Sequence, residues 1–110
     1  MDNTIEVFLF GEFKMCYQGI TLSQSDIHSD ILTKYLTYLL YNYKDVVKSQ
    51  RLDDVLWMGE DLANPKNTIK NLMYRLRKLL KTYWPNTSFW LTRHNGYVLN
   101  PQLNVVLDTS

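Results

Sequence analysis

The stretch "NPKNTIKNLMYRLRKLLKTYWP", residues 64 to 85, places the tightest constraint on how this 110-residue chain folds. Asn64 can cap a helix, and Pro65 has the fixed φ that suits a first helical position. Pro85 disfavours helical backbone in the residue before it, so the spacing predicts a helix from Pro65 to about Tyr83. With Lys66 set at 0° and a turn of 100° per residue, Ile69, Leu72, Met73, Leu76, Leu79 and Leu80 fall between about 220° and 340°. An apolar arc that wide must be covered by other elements. The chain therefore builds its core against one long amphipathic helix, and its length suits a single domain.

The opposite arc raises a different question. Residues 64 to 81 carry six basic side chains and no acid. Like charges at helical spacing weaken a helix, so unrelieved positive charge asks for a reason. Lys66, Arg77, Lys70, Lys81, Lys78 and Arg75 occupy about 0° to 180°, with Tyr74, Asn67 and Asn71 among them. The net charge of +1 hides this asymmetry. Residues 1 to 61 hold five basic and ten acidic side chains, whereas residues 62 to 107 hold seven basic and none acidic. A solvated face, a membrane surface and a nucleic acid are the three readings of such an arc. The membrane reading is the weakest, because the apolar arc is needed for the domain's own core. Nucleic acid fits the residue types: cations neutralise phosphates, and Asn and Arg make paired hydrogen bonds to base edges.

The remaining elements follow from pattern. "TIEVFLFGEFKMCYQGITL" predicts two or three short antiparallel strands, with Phe13, Met15 and Tyr17 on the buried face and Lys14, Cys16 and Gln18 opposite. Ile27, Ile31, Leu32, Tyr35, Leu36, Leu39, Leu40 and Tyr43 recur at helical spacing, with Ser25 or Ser29 as candidate caps. "DVVK" has room for a short strand or a turn. "QRLDDVLW" predicts a second, short helix, and "FWLTR", "HNG" and "YVLN" predict a hairpin turning at Asn95-Gly96. "NPQLNVVLDTS" after it is expected to add nothing to the core.

Several function classes fall away. One cysteine and two histidines cannot supply the ligands of a usual zinc site, and four glycines form no phosphate-binding loop. No catalytic residue, metal ligand or cofactor is expected. The longest apolar run, "YLTYLLY", is far short of the ~20 residues of a membrane span, and "MDNTIEVFLF" lacks the basic start of a secretory signal. With a lone Cys16, a reduced, cytoplasmic setting is the expectation.

A short helix, a longer basic helix and a hairpin, in that order, suggest a helix-turn-helix with a wing. At "VLW" (55 to 57), "NPKNTIKNLMYRLRKLL" (64 to 80) and "LTRHNGYVLNP" (91 to 101) the chain resembles the OmpR/PhoB-type winged-helix family. The closest likeness is to the N-terminal domain of SARP-type antibiotic-regulatory activators of bacteria. Shared features are a Trp ending the second helix, Arg-Leu-Arg in the third, and an Arg followed by Gly-Tyr in the wing. The resemblance implies an α+β winged helix-turn-helix with a small N-terminal antiparallel sheet, three helices and a C-terminal β-hairpin wing. It implies a transcriptional regulator that reads double-stranded DNA with its third helix in the major groove and its wing in the minor groove.

Carried over position by position, the resemblance points to Asn67, Asn71, Tyr74, Arg75 and Arg77 on the third helix, to Arg93 in the wing and to Trp57 on the phosphate backbone. Lys66, Lys70 and Lys78 join them from the cationic arc. Arg77, at about 20° and beside the apolar arc, can instead lie along the core. Trp57 can be a core aromatic. Met58 to Ala63 matches the loop that touches RNA polymerase in such proteins, and Glu60 and Asp61 make it acidic. Direct DNA repeats bound head to tail are the implied mode of assembly. The expected domain covers residues 1–101, with 102–110 a linker toward a C-terminal regulatory domain. A winged helix used only to bind protein is the alternative, and the acid-free arc argues against it.

Overall fold

The computed structural model describes residues 3–48, 65–94 and 96–108, with residues 65–68 described as helical backbone only. It is an α+β fold, with two sheets among the described residues. Strands β1 (Thr4–Phe8), β2 (Lys14–Tyr17) and β3 (Ile20–Ser23) form an antiparallel meander, as their alternation predicts. Ile5, Val7, Phe13, Met15, Tyr17 and Leu22 are buried, while Lys14 and Gln18 face water. The β2–β3 turn consists of Gln18 and Gly19, both at positive φ (51° and 76°), the signature of the tight turn that matches strand twist.

Ser23 then caps the start of a short helix, α1 (Gln24–Ile27), by donating its N–H (3.1 Å) and its hydroxyl (2.8 Å) to Asp26 Oδ2. His28, left-handed at φ 58°, breaks the chain before the main helix α2 (Asp30–Tyr41). The apolar spacing from Ile27 to Tyr43 thus covers two helices and a tail, not one helix. Ser29, one of the two expected caps, accepts the Leu32 N–H at 3.2 Å, and Ser25 does not cap α2. Leu32, Tyr35, Leu36, Leu39 and Leu40 form the buried face.

The long helix, α3 (Pro65–Tyr83), ends where Pro85 predicts. Ile69, Leu72, Met73, Leu76 and Leu80 are buried and Leu79 is half-buried, so the apolar arc faces the core. Trp84, just beyond, donates its indole N–H to the Tyr17 carbonyl at 2.8 Å. Its ring meets Tyr17 and Phe89 in a tilted and an edge contact, with centroids 6.1 and 5.5 Å away, which ties the helix end to the first sheet.

The second sheet has the order β4-β6-β5, from β4 (Val47–Lys48), β5 (Trp90–Arg93) and β6 (Gly96–Leu99). The β5–β6 hairpin forms as expected, but its register pairs Arg93 with Gly96. His94 (φ 49°) leaves β5 in a left-handed turn conformation, and Gly96 opens a strand; the expected turn residue Asn95 lies outside the described residues. Space, not turn geometry, accounts for this glycine, because a Cβ on it would lie 2.5 Å from the Val47 carbonyl oxygen.

One expectation fails outright. Residues 102–110 are not all linker: β7 (Asn104–Asp108) joins the first sheet parallel to β1, pairing Ile5 with Val105 and Val7 with Leu107 in the order β3-β2-β1-β7. Asn100 prepares the return, since Leu103 N–H binds its carbonyl (2.9 Å) and Gln102 N–H its side-chain oxygen (3.0 Å). Leu103 and Val105 are buried, so the segment adds to the core after all.

Candidate nucleic-acid interface

Helical spacing sends the outer side chains of α3 away from Leu72, Met73 and Leu76. Lys70, Asn71, Tyr74, Arg75, Lys78 and Lys81 are all exposed, Tyr74 at 68%. Lys70 to Lys81 spans about 16 Å of helix at 1.5 Å per residue, roughly three turns. The helix carries no acid. The acids among the described residues belong to other elements: Glu6, Glu12, Asp26, Asp30, Asp45 and Asp108. The surface offers ammonium groups as point charges, a guanidinium fork, an amide with paired donor and acceptor, and a phenol. An extended anion with hydrogen-bonding edges satisfies all of these at once.

Arg93, on β5 beside the turn, is also exposed, as are Thr92 and His94. Arg77 takes a different place from its neighbours. Its Nη2 donates to the Trp90 carbonyl on β5 at 2.9 Å, and its guanidinium carbon lies 5.4 Å from the centroid of the Tyr97 ring on β6. Arg77 is exposed like its neighbours and is anchored on the hairpin, a contact that neither sequence reading named.

Tyr35 of α2 reaches the same junction and is fully buried; its hydroxyl finds no hydrogen-bond partner among the described residues. Burial pushes the Tyr35 phenol well above its ordinary range, Tyr97 adds to that, and the Arg77 charge opposes it. Sequence reasoning missed Tyr35 at this junction, because on the wheel it is one more member of an apolar stripe. Trp57, Asn64 and the loop from Met58 to Ala63 lie outside the described residues, as do the side chains of Lys66 and Asn67 and the expected second helix.

No helix among the described residues is long and apolar enough to cross a membrane. No protein-family model, curated protein or solved structure matches this chain.

Proposed function

We propose that this protein is a winged helix-turn-helix transcriptional regulator of the OmpR/PhoB type, similar to SARP-type activators, that reads double-stranded DNA by sequence. The observation that carries the reading is the exposed, acid-free outer arc of α3, bonded through Arg77 to a hairpin that bears Arg93 beside its turn. In this reading α3 enters the major groove, where Asn71 and Arg75 address base edges and Lys70, Lys78 and Tyr74 address the backbone. The hairpin is the wing, and Arg93 enters the minor groove. The apolar arc of α3 is spent on the core, which leaves the cationic arc for DNA and argues against a membrane surface.

A module of this size covers about 600–1,000 Å² and a few base pairs. Direct repeats bound head to tail would supply further affinity, and RNA polymerase is the proposed partner of the loop from Met58 to Ala63. The setting proposed is the bacterial cytoplasm.

Selection of bound duplexes from a random library, followed by salt titration of the best one, tests the reading. An enriched motif with a log–log slope of about −4 to −6 is expected, which corresponds to roughly four to seven neutralised phosphates. Binding without enrichment reduces the claim to a nonspecific cationic surface. No binding at low salt by folded protein leaves the arc to a protein partner. On the enriched motif, Arg75→Ala is expected to cost about 1–3 kcal/mol, and much less on random DNA. Equal losses on both make Arg75 a backbone contact.

A further inference from the structure

We propose that Arg77 is a positioning residue that fixes the hairpin's pose against α3, and that it acts on DNA only through where it holds Arg93. The proposal rests on reading α3 and the hairpin as one DNA-binding unit. In the sheet order β4-β6-β5, β5 is an edge strand among the described residues. The Phe89 carbonyl turns inward and accepts the Asn100 N–H at 2.7 Å. Strand alternation therefore turns the next carbonyl, that of Trp90, to the open edge, and there Arg77 supplies the donor.

The same guanidinium lies over the Tyr97 ring on β6, so one side chain holds both strands of the hairpin to α3. Only a planar cation can donate in its plane while its face covers a ring. Both arginines of "RLR" are exposed, but Arg75 makes neither contact among the described residues. The two arginines of "RLR" thus have different work.

The hold has leverage. Arg93 lies three residues beyond Trp90, about 10 Å along the strand, so a tilt of about 10° at the junction carries it nearly 2 Å. A misplaced Arg93 loses its phosphate or minor-groove contact without any change in its own chemistry.

The test compares Arg77→Lys, Arg77→Met and Tyr97→Leu, each alone and combined with Arg93→Ala. In the free protein, amide hydrogen exchange across residues 90–99 is expected to speed up in all three variants, with the first sheet unchanged. Lysine does not rescue, since it keeps the charge but not the plane. On the enriched duplex, each single variant is expected to weaken binding about tenfold beside Arg93 and less than about twofold beside Arg93→Ala, a non-additivity that marks action through one group.

Wild-type binding by Arg77→Lys, with Arg77→Met losing about one phosphate of salt slope in both backgrounds, would make Arg77 a direct backbone contact and overturn the proposal. Unchanged exchange in the hairpin would overturn it too. If the wild-type protein binds no duplex, the DNA reading fails on its own. The exchange measurement still decides whether Arg77 holds the hairpin.

Discussion

The two sheets of this molecule are built on opposite terms. The first closes on a pair of strands nearly the whole chain apart, β1 and β7, and its inward residues Ile5, Val7, Met15 and Leu22 are almost fully shielded. The second is mostly a local hairpin, whose inward Val47, Trp90 and Leu99 are also buried but whose residues Thr92, Arg93 and His94 at the tip face water. Both sheets bury one face; the second also presents an exposed, cationic tip. The difference teaches where substitutions unfold the protein and where they change only what it touches.

The largest expected effect breaks the first sheet. Val105→Asp places an unpaired charge in buried β7 and is expected to cost about 3–5 kcal/mol in urea unfolding, whereas Val106→Thr, next door, 55% exposed and opposite Glu6, stays within about 0.5 kcal/mol. Equal effects at the two positions would mean that β7 does not pack as described. In the second sheet, Gly96→Ala drives a methyl into the Val47 backbone and is expected to cost about 1–3 kcal/mol. If stability holds there, β4 is not essential to that sheet.

Where the sheets meet through α2, the expected change is small and of opposite sign. Tyr35→Phe removes a buried hydroxyl without a partner among the described residues, and a gain of up to about 1 kcal/mol is expected. The variant also tests the alkaline limb. With Tyr35 raised when folded, the unfolded chain ionises this phenol above 10.0 while the folded chain keeps it neutral. The native protein therefore loses stability as pH climbs past that value toward the folded pKa, and Tyr35→Phe should lose less. A variant that is less stable at neutral pH would show that the hydroxyl has a partner.

How much of this was legible in the sequence depended on distance along the chain. Pro85, the Gln18-Gly19 turn and the apolar arc of α3 act on near neighbours, and they fixed a helix end, a meander and a buried face correctly. The β1–β7 pair was illegible, because "NVVLD" becomes a strand only by virtue of a partner about a hundred residues away, and the Asn and Pro before it read as loop. His28 hid a helix break inside a continuous apolar stripe, since a left-handed residue other than glycine leaves no compositional trace. Arg77 sat on the border of its arc, and only the Trp90 carbonyl and the Tyr97 ring decided its side.

The parallel return of β7 also sets a timetable. During synthesis the β2–β3 turn and α2 can form as soon as they emerge, but the outer edge of β1 stays bare until residue 108 has been made. A bare, apolar strand edge is the part of a half-made chain most open to wrong partners. Closing the longest loop last leaves β7 out of the folding nucleus, so Val105→Ala should speed unfolding far more than it slows refolding in stopped-flow measurements. The strand that seals the finished domain is thus the one that governs how long the domain, once made, stays sealed.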